Sequence, residues 1–445
     1  MNRSHFKLRS VLVLPFLTLV ACQPNPPKST IYFDSALQTA AWLESVSIES
    51  QDGLAWPANP EKPDELATNL YSGSPGVVLF YLDLHKATRD EKHLKMAIRG
   101  GEYLLQTLPD TLHPGQTGLY TGVAGVGFVF SELFRATGKA KFRDGADRCV
   151  SMLAKSVKRI GDGVEWNEVS DIVGGLAGTG LFLLYADEHL KSDAALELAT
   201  KAGNRLLDLA EKTDDGLKWA MTPSFARLMP NFSHGTAGNG YFLAALFERT
   251  KNEAFLNAAI SGAEYLTAVS EKSDSLEGFI FHHEPEGEDL FYLGWCHGPP
   301  GTSRLFYKLY QITGEAAWLE PIKTAAETIV QSGVPEKQTP GFWNNVSQCC
   351  GSAGLAEFYL ALHRVFDDER YLVFAKRIAD NLIERSNGDG SGLKWIQAEH
   401  RVRPELLIAQ TGYMQGAAGI GMMLLRMDVS HTQRHNFIVF PDNPF

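Results

Sequence analysis

The 445-residue chain lacks any concentrated run of lysine and arginine. Its 41 basic residues are outnumbered by 52 acidic ones, giving a formal net charge of −11, whereas nucleic-acid-binding domains usually carry a clustered basic face. Beyond the first 21 residues it also lacks any apolar run long enough to span a bilayer. Cysteine is scarce, with five in the whole chain. These absences argue against a nucleic-acid partner and against any membrane-spanning segment in the mature protein.

The N-terminus predicts an export signal. Three basic residues among the first nine precede an apolar run over residues 11–21, which has the length of a signal peptide. The run ends in Leu19-Val20-Ala21-Cys22, which resembles the lipobox of bacterial lipoproteins. We therefore expect cleavage after residue 21, acylation of Cys22 and a polar, proline-rich tether over residues 22–34. Glutamine at position 23 favours the outer membrane, so the protein is expected in the cell envelope, anchored by lipid and facing the periplasm. The alternative is an ordinary signal peptide that happens to end at a cysteine.

An internal repeat dominates the rest of the chain. A Gly-x-x-Gly element followed by an apolar run recurs seven times, with spacings of 49, 53, 60, 63, 53 and 65 residues between the first glycines. The first glycines are Gly73, Gly122, Gly175, Gly235, Gly298, Gly351 and Gly416. The repeats occupy residues 35–428, and residues 429–445 form a tail without a repeat partner, which we expect to pack on the rim.

The repeat predicts alternating helices of two kinds. The segment after each glycine pair is apolar nearly all round, as in a buried helix, whereas the segments between them are amphipathic. Seven buried and seven outer helices form a closed double ring, because closure covers the faces that an open array would expose. We therefore predict an all-α fold, an α/α toroid. The glycines then lie at the starts of the inner helices, where only a small residue lets backbones approach closely.

The residues just before each glycine pair are expected to meet at the mouth of the ring. In chain order they are Ser72, Thr121, Gly174, His234, His297, Cys350 and Gln415, with Asp171, Ser233, Cys296, Cys349 and Tyr413 nearby. Thiolate and imidazole are ligands that suit Zn²⁺, and three protein ligands with an open fourth position are typical of a catalytic site. We predict a zinc ion on Cys296, Cys349 and Cys350. The alternative is that these thiols are simply buried, or that the adjacent pair is disulfide-bonded; Cys149 lies in an amphipathic pattern and is expected in the core.

Two motifs carry a resemblance to a known family. Gly294-Trp-Cys-His-Gly-Pro-Pro-Gly301 and Cys349-Cys350-Gly-Ser-Ala-Gly354 resemble the lanthionine synthetase C-like family, and all seven repeats match over residues 35–428. The resemblance implies an α/α toroid with zinc held by Cys296 and Cys349. Its third ligand is usually histidine, and here that position is Cys350. An all-thiolate site carries one more negative charge, so a bound thiolate should be easier to release.

The resemblance also implies a reaction and the groups that perform it. Members of the family add a peptide cysteine thiol across dehydroalanine or dehydrobutyrine, which forms a thioether. The acid–base residues of the family match His234 and Asp171, although Asp171 could instead cap a helix and His234 could be a core histidine. We expect His297 close to the metal, and Tyr413 and Gln415 lining the cavity. Position 292 departs from the pattern, because peptide cyclases often carry arginine where this chain has Tyr292.

Other functions remain open at the level of the sequence. An exported enzyme of this family would need an exported peptide, or it would add a small thiol such as glutathione to an electrophile. A non-catalytic zinc- or thiol-binding lipoprotein would keep the cysteines without an acid–base pair. A toroidal carbohydrate-active enzyme would need paired carboxylates in the cavity, with tryptophans such as Trp166, Trp343 and Trp395 nearby. In each case we expect a monomer.

Overall fold

The computed structural model describes residues 30–225, 229–271, 290–432 and 436–445. The predicted signal peptide, the acylated Cys22 and most of the predicted tether lie outside these ranges. None of the helices within them is both long enough and apolar enough to cross a membrane.

The described part of the chain contains fourteen α-helices. In chain order they are α1 (Ile31–Ser45), α2 (Ser74–Thr88), α3 (Glu91–Thr107), α4 (Val123–Thr137), α5 (Ala140–Ser156), α6 (Leu176–Leu190), α7 (Asp193–Leu209), α8 (Thr236–Thr250), α9 (Glu253–Ala268), α10 (Pro299–Thr313), α11 (Glu320–Gln331), α12 (Ser352–Phe366), α13 (Glu369–Glu384) and α14 (Ala417–Thr432). Short 3₁₀ turns lie at Pro114–Gln116 and Ala316–Leu319.

The helices form the predicted double ring. The even-numbered helices have mostly buried side chains and contact one another in a closed circuit, from α2 through α12 to α14 and back to α2. Each odd-numbered helix packs outside its partner with one apolar face inward. The α/α toroid is therefore confirmed.

The N-terminal helix completes the set of seven outer helices. Helix α1 packs on α14, so the N-terminal helix is the outer member of the last pair. It begins at Ile31, and the boundary between tether and toroid therefore lies four residues earlier than the predicted residue 35. At the other end, α14 continues to Thr432 and so extends past the predicted boundary at residue 428.

The glycine pairs are required by the local path of the loop. In the first six repeats the first glycine is the N-cap of its helix, and in every repeat but the first the second glycine lies against a carbonyl group six residues earlier in the same loop. A Cβ atom on Gly178 would lie 1.9 Å from the Ile172 oxygen, and one on Gly301 would lie 2.1 Å from the Trp295 oxygen. In these repeats the crowding arises within the loop itself, whereas at Gly76 it comes from the loop of the last repeat, since a Cβ atom there would lie 2.6 Å from the Tyr413 Cβ.

Short antiparallel hairpins follow four of the outer helices. Their strands, together with one further pair, are β1 (Ile48–Ser50), β2 (Gly53–Ala55), β3 (Lys158–Ile160), β4 (Gly163–Glu165), β5 (Glu211–Thr213), β6 (Gly216–Lys218), β7 (Asn387–Gly388), β8 (Leu393–Lys394), β9 (Gln397–Ala398) and β10 (Leu407–Ile408). A buried tryptophan follows each of the four hairpins and donates its indole N–H to a carbonyl 13 residues earlier, at the end of the preceding outer helix. Trp166 and Trp395 are two of these, so they fix hairpins to helices and are not a platform for a sugar.

Candidate functional site

The loops that precede the inner helices are joined in a ring of backbone hydrogen bonds. The ring passes through the residue two positions before each first glycine. Six N–H···O bonds of 2.8–3.1 Å run from Met414 to Tyr71, Tyr71 to Tyr120, Tyr120 to Val173, Ser233 to Cys296, Cys296 to Cys349, and Cys349 to Met414. Positions 49 or more residues apart in sequence thus become neighbours at the centre of the toroid.

Three thiols meet on this ring. The Cys350 sulfur lies 3.3 Å from the Cys296 sulfur and 3.2 Å from the Cys349 sulfur, and all three side chains are buried. The three sulfur atoms lie within 4.8 Å of one another. The cysteines of the described ranges are all free, and Cys149 is buried in the core on α5.

The thiol cluster fits a metal ion. In a tetrahedral zinc–thiolate site the sulfurs are about 3.8 Å apart, so small shifts would open this cluster to that size. Hydrogen bonds from the Cys296 and Cys350 thiols, with a further one from Tyr71, hold the pKa of Cys349 well below its ordinary value. Burial, by contrast, raises the pKa of Cys296. One sulfur is therefore ready to be a thiolate, and a cation would favour ionisation of the others.

A tyrosine and a glutamine support the cluster from the neighbouring repeats. The Tyr71 hydroxyl donates to the Cys349 sulfur at 3.4 Å, and Gln415 donates its amide N–H to that hydroxyl at 2.9 Å. Gln415 also lies 3.9 Å from the Cys350 sulfur. Gln415 is thus at the site, whereas Tyr71 is not among the predicted residues. It occupies the same register as Cys296 and Cys349, so reading that register in the first repeat would have found it.

His234 and Asp171 form a pair beside the thiols. His234 Nδ1 lies 2.6 Å from Asp171 Oδ2. This contact joins the third and fourth repeats, between which the ring of backbone hydrogen bonds has no member among the described residues. Asp171 is buried, and its other oxygen accepts the Gly174 N–H at 2.7 Å. Asp171 therefore secures its own loop with one oxygen and orients the imidazole with the other.

The carboxylate controls the charge of the imidazole. Burial alone would lower the pKa of His234, but the hydrogen bond and negative charge of Asp171, with a contribution from Cys349, raise it above the ordinary histidine value. The His234 side chain remains 29% exposed, so the ring can reach a substrate.

The part of the site beyond His297 is aromatic and carries an arginine. The ring of His297 lies between His234 and Tyr292, with centroid distances of 5.6 and 5.1 Å. Tyr292 packs edge-to-face on Trp343 at 5.7 Å, and its hydroxyl accepts a hydrogen bond from Arg401 Nε at 3.1 Å. Peptide cyclases often have arginine at the position of Tyr292. In this chain the guanidinium group of Arg401, which lies in a distant loop, contacts Tyr292 instead.

Tyr413 belongs to another part of the toroid. It lines a separate cavity of about 300 Å³ with Arg304 and Arg426, and it stacks on Phe440 of the C-terminal tail at 4.3 Å. Tyr413 was expected to line the site, but it lies one position away from the register of Cys296 and Cys349, and its ring contacts the tail.

Comparisons with known proteins agree with this geometry. The sequence is 22% identical to a protein named glutathione S-transferase LANCL1 of Danio rerio over 322 residues, which are 70% of this chain and 73% of that protein. The fold resembles the structure of nisin cyclase, with a TM-score of 0.62, 19% identity and coverage of 88% of this chain and 92% of the other. It also resembles a D-mannose isomerase, with a TM-score of 0.51, 13% identity and coverage of 92% and 100%. The model of the family described as lanthionine synthetase C-like protein matches residues 64–440. The chain therefore belongs to the lanthionine synthetase C-like family.

Proposed function

We propose that this protein is a zinc-dependent enzyme that activates a thiol for addition to a dehydroamino acid or a similar electrophile, forming a thioether. The observation that carries the proposal is the convergence of three buried thiols beside a hydrogen-bonded His234–Asp171 pair. A non-catalytic zinc-binding protein would need the thiols alone. The paired and partly exposed imidazole therefore favours an enzyme.

Each residue has a task in this reaction. Cys296, Cys349 and Cys350 would hold zinc, and three protein ligands would leave room for a substrate sulfur. When bound there, the ion would lower the pKa of a substrate thiol, so that its thiolate would form near neutral pH. Tyr71 keeps its proton, because burial and the negative charge of Cys349 raise its pKa, and its hydrogen bond holds that ligand in place.

His234 is the proton donor in the second half of the reaction. The substrate thiolate attacks the β-carbon, a carbon–sulfur bond forms, and the electrons of the double bond move to the α-carbon and its carbonyl as an enolate. Protonated His234 then gives its proton to the α-carbon. The proton released from the next substrate thiol restores the imidazolium, so the cycle needs no other reactant.

Two classes of thiol suit the site: a cysteine in a peptide and a small thiol. The relative named glutathione S-transferase and the structural neighbour named nisin cyclase correspond to these two classes. We propose that Cys22 anchors the enzyme in the cell envelope, where its thiol and electrophile would be exported molecules or molecules made outside the cytoplasm.

Arg401 is expected to favour thiols that carry a carboxylate. Its exposed guanidinium is held beside the site by its hydrogen bond to Tyr292. Its remaining N–H groups can form a bidentate pair with a carboxylate. In Arg401→Gln we expect KM for glutathione to rise about fivefold with kcat little changed, since the lost contact is an exposed charge pair worth about 1 kcal/mol.

Cysteamine, a thiol without a carboxylate, is the control substrate, and Arg403→Gln is the control variant in the same loop. Cysteamine kinetics should be the same in all three proteins. An equal rise in KM for both thiols in Arg401→Gln would show that Arg401 does not bind the carboxylate of glutathione.

The function itself is tested with a peptide containing dehydroalanine. The full chain loaded with zinc should join glutathione or a peptide cysteine to this electrophile, which mass spectrometry detects as the added mass of the thiol. The rate should exceed that of the zinc-depleted chain by several orders of magnitude. Equal rates with and without zinc would contradict the proposal.

A further inference from the structure

The C-terminal segment, residues 436–445, enters the toroid instead of covering its rim, contrary to the prediction for the tail. Phe440 stacks on Tyr413 at 4.3 Å, and Phe445 stacks on Tyr307 of α10 at 4.7 Å. The Ile438 N–H donates to Asp83 of α2 at 2.9 Å. The segment thus joins inner helices that are far apart in sequence, and it forms part of the wall of the cavity that Tyr413 lines.

The deepest polar group of this segment is Asp442. Its side chain is fully buried, and one of its oxygens accepts hydrogen bonds from Arg304 Nη1 at 2.7 Å and from the Tyr120 hydroxyl at 3.1 Å. Arg304 also donates to the Asp442 carbonyl at 2.8 Å. A buried carboxylate and guanidinium are stable together, but either alone is an uncompensated charge in the interior.

The ion pair lies against the rings that support the thiol loops. We define the aromatic layer as Tyr120, Phe232 and Trp295. The Arg304 guanidinium lies 5.4 Å from the Phe232 ring and 5.8 Å from the Trp295 ring. Trp295 in turn contacts the other two rings edge-on, at 5.2 and 5.7 Å.

The aromatic layer is continuous in sequence with the site. Trp295 immediately precedes Cys296, and Phe232 is two residues before His234. In such a packed interior, a shift of Trp295 is transmitted to the next residue of its loop. The position of the Cys296 sulfur therefore depends on the support beneath Trp295.

We propose that Asp442 is a positioning residue for the metal centre, acting through Arg304 and the aromatic layer. The C-terminal segment thereby couples the end of the chain to the geometry of Cys296. The inference rests on the proposed role of Cys296 as a zinc ligand. Without the Asp442 charge, Arg304 is drawn towards water, Trp295 loses its support, and the three sulfurs no longer hold the ion equally well.

The test is the zinc affinity of Asp442→Asn, measured in the full chain by competition with a chelator. Asparagine keeps the size of the side chain but removes its charge. We expect the zinc dissociation constant to rise about tenfold, the low end of what outer partners of metal ligands contribute. Adding Arg304→Gln should restore the affinity to within about threefold of wild type, because the pair is then neutral.

Asp187→Asn is the matched control. Like Asp442, Asp187 has a buried carboxylate. It lies on the inner helix α6 and pairs with Arg249 of α8, the next inner helix. The Asp187→Asn variant should have a lower melting temperature, as Asp442→Asn should, while its zinc affinity stays within twofold of wild type. Unchanged zinc affinity in Asp442→Asn, an equal loss in Asp187→Asn, or no recovery in the double variant would each overturn the inference. A wild-type chain that binds no zinc would instead overturn the proposed function, and this inference with it.

Discussion

Replacing Cys296 by serine is expected to abolish both zinc binding and thiol addition. Serine is not ionised near neutral pH, so the ion would keep only the adjacent sulfurs of Cys349 and Cys350, and two ligands do not make a zinc site. Activation of a nucleophile by a metal ion supplies several kcal/mol, so we expect the addition rate to fall by about three orders of magnitude. Elemental analysis of the purified variant and the dehydroalanine assay measure the two effects.

Cys149→Ala is the matched control for this experiment. Cys149 is buried on α5, outside the cluster, and burial raises its pKa to about 12, so it stays a neutral thiol. The control should cost some stability and leave the zinc content unchanged. Zinc retained at the wild-type level in Cys296→Ser would show that the ion is bound elsewhere.

Replacing Asp171 by asparagine is expected to remove the proton donor while sparing the metal. The carboxylate is what raises the pKa of His234, and without it the effect of burial prevails and that pKa falls. Because the protonated imidazole is the active form, the rate declines as pH rises through the pKa of His234. The decline should therefore move to lower pH in the variant. At neutral pH we expect a loss of about 10²–10³ in kcat, the usual contribution of general acid catalysis.

Two further variants separate this role from a structural one. His234→Gln should lose a similar amount at neutral pH and should lack the decline that wild type shows as pH rises through the pKa of His234. The double variant should be no slower than the single ones, because both substitutions remove the same proton. Zinc content should equal that of wild type in all of them. An unchanged pH profile in Asp171→Asn would contradict the assignment, whatever the loss of rate.

The ring of helices was predictable because its helices follow from the repeat in the sequence. Glycine spacing and apolar periodicity predicted the inner helices, and ring closure followed from the faces that had to be covered. The pairing of α1 with α14 was not visible, since the outer helix of the last repeat lies at the other end of the chain. The path of residues 436–445 was not predictable either, because a segment with no repeat partner has no register to place it.

The same distinction applies to the site. Register within the repeat brought together Cys296, Cys349 and Cys350, and the structure places them in contact. Arg401 could not be placed from the sequence, because it reaches Tyr292 through a long loop with no repeat pattern. Tyr413 was expected at the site because it is close to Gly416, but it lies one position away from the register of Cys296 and Cys349, and its ring contacts Phe440.

The most direct test of the central claim is zinc-edge X-ray absorption of the purified wild-type chain, combined with elemental analysis. The account predicts one zinc ion per chain, bound by three sulfur ligands at about 2.3 Å and one lighter atom. On adding a thiol substrate, the sulfur count should rise from three to four. A chain that contains no zinc, or one in which Cys349 and Cys350 are joined as a disulfide, would contradict it.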